Sequence, residues 1–154
     1  MKKQKGFSLI ELLIVVAIIL IIAAIAIPNL IRSKMAANEA SAVASLRTLN
    51  TAEVTYNNTY PGLFGNLTSL GPNATPCVTP ASNGACLIDA LLKSGLKSGY
   101  TFTIGGNLTT TYTTSALPTT AGSTGTRSFC SDTNLVIFYM STGGACTTAT
   151  GTAL

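Results

Sequence analysis

Sixteen consecutive residues, Leu12 to Ile27, carry no polar side chain, and Pro28 closes the run. Nothing else in the sequence constrains the fold as strongly. A 1.5 Å rise per residue makes the helix from residue 7 to residue 28 about 30 Å long, the thickness of a bilayer's hydrocarbon core. Glu11 stands at the front edge of the run, and Lys2, Lys3 and Lys5 lead into it. Positive charge ahead of an apolar segment keeps that end in the cytoplasm. Two readings follow. Ala24-Ile25-Ala26 offers a small-residue cut of the kind that removes a secretory signal. Against it, a carboxylate inside an apolar span costs about 2.5–3.5 kcal/mol on insertion scales, and an ordinary signal has no use for one. Gly6-Phe7 fits a different cut, ahead of the run, which leaves the run on the mature chain.

The quoted residues carry a family resemblance. Lys5-Gly6-Phe7-Ser8-Leu9-Ile10-Glu11-Leu12-Leu13-Ile14-Val15-Val16-Ala17-Ile18-Ile19, with Pro28 beyond, resembles the N-terminus of a type IV pilin or of the related type II secretion pseudopilins. The resemblance covers about the first 35 residues closely. It implies that a prepilin peptidase cuts between Gly6 and Phe7 and that the new amino group of Phe7 is methylated. It also implies that Glu11 matches the family's glutamate. Glu11 and the Phe7 amine are i+4 and i within one helix, and between axially offset subunits Glu11 of one meets Phe7 of the next, a pairing expected to set assembly register. A carboxylate in lipid loses its cost when it meets such a cation. One position departs from the pattern. Many pilins have a glycine in mid-run, and this chain has Leu20 there. Pro28 is then the one helix breaker, through its missing N–H and its clash with the Ala24 carbonyl, so a kink or local unwinding is expected there.

Downstream, residues 29–58 read as an amphipathic continuation of the same helix. Ile31, Met35, Ala42, Leu46, Leu49, Ala52 and Tyr56 recur at spacings of three, four and seven; Asn38, Ser41, Ser45, Thr48 and Thr55 take the other face. Residues 59–154 read as a head with few charges and many turns. Asn66 to Asn83 is loop-like, and Leu87 to Lys93 reads as a short helix stopped by Gly95. Gly99–Ile104, Leu108–Thr114, Thr126–Cys130 and Asn134–Met140 read as strands, with Gly105-Gly106-Asn107 as a hairpin turn. The tail from Thr147 is expected to be mobile. The fold class is therefore α+β: a long N-terminal helix, half of it transmembrane, packed on a small antiparallel sheet.

Cys77, Cys86, Cys130 and Cys146 all follow the apolar run. An even number on the far side of a membrane segment points to disulfides in an oxidising compartment. Of the pairings that four cysteines allow, Cys77–Cys86 and Cys130–Cys146 are favoured, because each joins sequence neighbours across one loop or hairpin. With no C-x-x-C pair, a zinc site is not indicated.

Composition narrows the chemistry. There is no histidine, so the commonest general base and metal ligand is missing. Beyond residue 6 the chain has six Lys and Arg against five Asp and Glu, so no basic nucleic-acid surface is indicated. The head's two carboxylates, Asp89 and Asp132, suggest neither a paired-carboxylate hydrolase nor a calcium site of the kind found near the C-terminus of major pseudopilins. No cofactor and no enzyme activity is expected. Four Asn-x-Thr sequons, at Asn57, Asn66, Asn73 and Asn107, match at the rate a Thr-rich chain gives by chance.

The resemblance implies a structural pilus subunit. It would be held in inner-membrane lipid as a single-pass precursor with its N-terminus in the cytoplasm. A prepilin peptidase would then process it, and assembly machinery would draw it into a helical polymer of identical subunits on the cell surface. Adhesion, twitching motility and DNA uptake all fall within what the resemblance implies. Two alternatives remain open: a major pseudopilin of a type II secretion system, and a small secreted disulfide-bonded binding protein with a classical signal peptide.

Overall fold

The computed structural model describes residues 7–74 and 77–154. Gly6 and the three leading lysines lie outside the described residues, as do Thr75 and Pro76. The chain divides into two compact units between Lys34 and Met35, and one helix, α1 (Leu9–Thr59), contributes to both.

In the first unit no helical residue from Leu9 to Lys34 is buried. α1 is long and apolar enough to cross a membrane. It is helical on both sides of Pro28, so the unwinding expected at that proline is not present. A helical proline removes one hydrogen-bond donor. Here the helical bonds of the residues on either side carry the helix past the gap.

In the second unit Met35–Thr59 of α1 packs on a six-stranded antiparallel sheet whose strands lie in chain order. The strands are β1 (Leu96–Lys97), β2 (Tyr100–Gly105), β3 (Thr113–Pro118), β4 (Ser128–Asp132), β5 (Ile137–Met140) and β6 (Thr152–Ala153). Two one-turn helices precede them, α2 (Leu67–Leu70) and α3 (Ala90–Lys93). Ala42, Leu46, Leu49, Ala52 and Tyr56 of α1 meet Phe102, Ala116, Phe129 and Ile137 of the sheet in one core, with Leu70 and Leu92 of the short helices at its side. The helix residues are the apolar ridge that the spacing predicts. Ile31, assigned to the same ridge, is exposed, and Ser45, assigned to the outer face, is buried.

Each boundary that differs from expectation has a local cause. α3 begins at Ala90, because Asp89 caps it by accepting the Leu92 N–H at 2.8 Å. Leu87 and Ile88 instead donate to the Leu70 carbonyl. Asn66 caps α2 in the same way through Ser69, inside a stretch read as loop. β3 starts at Thr113 and not at Leu108. Leu108 has a φ of 55° and its carbonyl is taken by the Phe64 N–H at 2.7 Å, so the chain between Gly106 and Tyr112 is a loop. β5 starts at Ile137, since Leu135 turns at φ 65° over Asp132, which accepts the Asn134 N–H. The tail expected to be mobile is paired. Thr152 and Ala153 lie opposite Tyr139 and Phe138, and Leu154 donates to the Ile137 carbonyl. The hairpin between β1 and β2 turns on Ser98 and Gly99, both at positive φ, as a two-residue turn requires.

Candidate functional site

Phe7 precedes α1 and its ring is exposed. Ser8 is followed directly by the helix, and its N–H donates to Glu11 Oε2 at 2.9 Å. This is one half of a capping box, in which the glutamate of the first turn reaches back to the residue before the helix. Ser-x-x-Glu before an apolar run is its sequence signature, and Ser8-Leu9-Ile10-Glu11 displays it. A negative side chain here also meets the positive end of the helix dipole. Glu11 thus has a local partner within its own chain. Phe7 cannot supply a charged one while residues 1–6 precede it, because its nitrogen is then an amide. An ammonium appears there only if the chain is cut between Gly6, which lies outside the described residues, and Phe7.

A second polar constellation joins α1 to the head, and its acidic members escaped the periodicity. Glu39 is buried on α1. Its Oε1 accepts the Thr126 N–H and Oγ1–H, each at 2.9 Å, and the Arg127 N–H at 3.1 Å; its Oε2 accepts Arg127 Nε at 2.7 Å. Burial pushes this carboxyl up, but the bonds from Thr126 and Arg127 outweigh it and hold the group below the usual range. These bonds also explain why β4 starts at Ser128 and not at Thr126: both backbone donors ahead of the strand are given to Glu39. The Arg127 guanidinium lies over the rings of Phe129 and Tyr139, 5.5 and 5.6 Å from their centroids. Asn38 adds a bond from Nδ2 to the Thr124 carbonyl at 2.8 Å.

Further along α1, Asn50 donates to Ser131 Oγ at 2.8 Å and accepts from the Tyr112 hydroxyl at 3.4 Å. Glu53, fully buried, accepts the Gly65 N–H at 2.8 Å. The Tyr56 hydroxyl donates to the Ser82 carbonyl at 2.6 Å. The one-dimensional pattern marks Asn50 and Glu53 only as polar residues on the apolar side of a helix; it does not show their partners, which come from outside α1.

The structure joins Cys77 to Cys86 and Cys130 to Cys146. The first bond closes the loop before α3. The second ties β4 to the segment between β5 and β6. In sum, the second unit is a clamped scaffold, and the first offers a run of apolar side chains headed by one capped carboxylate.

Comparison with known proteins bears on both. The family model for the prokaryotic N-terminal methylation motif matches residues 1–27. The type IV wide pilus major component PilA4 of Thermus thermophilus is 40% identical over 97 residues, which are 57% of this chain and 74% of that protein. The type IV major pilin protein PilA of Myxococcus xanthus is 48% identical over 54 residues, 35% of this chain and 24% of that protein. The type II secretion system core protein G of Aeromonas hydrophila is 33% identical over 84 residues, 53% of this chain and 59% of that protein. No solved structure matches the chain.

Proposed function

The chain belongs to the type IV pilin family, and from that premise we propose that it is the precursor of a structural pilus subunit and not an enzyme. The observation that carries the reading is the uncovered apolar run of α1 headed by Glu11. A soluble protein would bury such a run, and a plain anchor has no use for the carboxylate. In the precursor the run lies in inner-membrane lipid, with the three lysines holding the N-terminus in the cytoplasm. A prepilin peptidase cuts between Gly6 and Phe7, and the new Phe7 amine is methylated. Assembly machinery then moves the subunit into a surface fibre of identical subunits. The transfer exchanges lipid for apolar neighbours, so hydrophobicity does not oppose it.

Glu11 gives the transfer its register. Once Phe7 carries an ammonium, the carboxylate of an incoming subunit and the amine of one already in place are a matched pair in a low-dielectric core. Pro28 leaves the Ala24 carbonyl without its helical donor, making this the point where α1 opens under tension. The Cys77–Cys86 and Cys130–Cys146 bonds protect the head outside the cell.

The second reading, a pseudopilin of a type II secretion system, is favoured by the likeness to core protein G. The pilus reading has the stronger support, since the match to the wide-pilus component is both more identical and more complete.

Mass spectrometry of the N-terminus, together with electron microscopy of sheared cell-surface fibres, tests the proposal. A chain starting at methylated Phe7 in long fibres is the expected result. A chain starting at Ile27 would sink both pilin readings. A methylated Phe7 start without surface fibres would favour the pseudopilin.

A further inference from the structure

Glu53 lies on the core side of α1 with no exposed surface. Its Oε2 accepts the Gly65 N–H, and its Oε1 is buried without a partner among the described residues. The ion pairs among the described residues are Lys97–Asp89 and Arg127–Glu39, so no cation pairs with Glu53. The titratable groups that face it supply no positive charge: Tyr56, within a turn on α1, and Tyr112, from the loop before β3, are neutral phenols whose ionisation its charge opposes, and Asp132 at the end of β4 opposes that of Tyr112. Asn50, a turn back, is neutral and occupied by Ser131. The connection between α1 and α2 offers only the Gly65 N–H. A carboxylate so placed has one hydrogen bond and no counter-charge, which the interior tolerates poorly; the neutral acid fits it far better.

Gly65 is placed to report on this group. A side chain there would lie 2.6 Å from Leu70 Cδ2, so the backbone approaches α2 as closely as glycine allows. The neighbouring Phe64 donates its N–H to Leu108 and stacks on Tyr112 at 4.9 Å, and the Leu63 carbonyl accepts from Asn57 Nδ2. The short stretch from Leu63 to Gly65 therefore links α1, the entry to α2 and the β2–β3 loop.

We propose that Glu53 is a proton-operated latch: protonated, it lets the dry joint between α1 and the Gly65 stretch close around it, and on losing the proton it draws water to its unpartnered Oε1 and loosens that joint, although the carboxylate is the stronger acceptor for the Gly65 N–H. Burial pushes the carboxyl up, against the Gly65 bond that lowers it, to about 7. The folded head thus keeps a proton that the unfolded chain releases in the ordinary carboxylate range. Its stability is greatest below that range, falls as pH rises towards 7 and is level above. The latch works in the head of any assembly this chain enters and does not depend on the pilus reading.

The test is a pH titration of the full chain in detergent micelles, with glycines labelled with nitrogen-15, alongside thermal melts of the wild type and Glu53→Gln. The Gly65 amide resonance is expected to titrate with a midpoint near 7. The wild-type Tm is expected to fall by several degrees between pH 5 and pH 8. Glu53→Gln is expected to lack both responses and to melt above the wild type at pH 8. A Gly65 amide that moves only in the ordinary carboxylate range, or parallel melting profiles for the two proteins, overturns the latch. Should Glu53→Gln fail to fold, the wild-type amide titration decides the matter alone.

Discussion

At the scale of single residues, the observed cap and the proposed assembly pair ask different chemistry of Glu11. As a cap it needs an acceptor oxygen within reach of the Ser8 N–H, and that bond is present at 2.9 Å. As a partner for the mature Phe7 amine it needs a negative charge. Glutamine satisfies the first requirement and not the second, since capping boxes accept either residue. Glu11→Gln is therefore expected to be cut and methylated normally, to keep the first turn of α1, and to give few or no fibres, as Glu11→Ala would. Fibre yield in a shearing assay, set beside the mass of the processed chain, measures this. Near-normal fibres from Glu11→Gln would reduce Glu11 to a helix cap. Sequence alone brings out the charge argument, because a carboxylate in an apolar run stands out. The capping role is equally legible in Ser8-Leu9-Ile10-Glu11, as the Ser-x-x-Glu signature.

At the scale of elements, α1 shows what periodicity can and cannot reveal. Ala42, Leu46, Leu49, Ala52 and Tyr56 form the buried ridge because 3.6 residues per turn bring them to one side, and that repeat is visible in the chain. Glu39, Asn50 and Glu53 lie on the same side, and their burial depends on donors from Thr126, Arg127 and Gly65 and on the Ser131 acceptor, which no local pattern announces. The strands shift for a related reason. A Thr-rich chain has similar strand propensity at many registers, and the Glu39 and Leu108 contacts choose among them. Glu39→Ala tests the share that Glu39 has in this choice. The substitution leaves the Thr126 and Arg127 backbone donors without an acceptor, a loss of about 2–4 kcal/mol at neutral pH. Little of this comes from the charge on Arg127, whose side chain is 42% exposed and screened by solvent. Because the folded carboxyl titrates below its ordinary range, its contribution is complete above that range and fades as pH falls through the folded value. Denaturant melts of the wild type and Glu39→Ala should thus differ most at pH 7 and converge in strong acid. A pH-independent gap would mean that the side chain acts through packing alone.

At the scale of the whole molecule, the two units divide the work by solvent. The second contains every side chain that is buried among the described residues, both disulfides, and the Asn38 and Glu39 contacts that fasten α1 to the loop before β4. The first contains exposed apolar side chains and no buried ones. A cut at the division between them spares the whole clamp, since Met35 precedes Asn38. A fragment of residues 35–154 is therefore expected to fold, to melt cooperatively and to remain monomeric at high concentration. The chain from Phe7 should leave solution unless lipid or detergent covers its apolar run, because each exposed Leu or Ile in water forgoes about 1.5–3 kcal/mol of burial. In a bilayer that gain is already realised, so in the proposed assembly the hydrophobic effect does not drive the step from membrane to fibre, and the proposal leaves its direction to packing and the Glu11 charge. Light scattering coupled to size exclusion, with electron microscopy of the same samples, distinguishes the cases. Monomeric fragment beside fibres from the full mature chain places assembly in the apolar unit. Fibres grown from the fragment alone would place it in the head, and Glu11 would then have no part in the register.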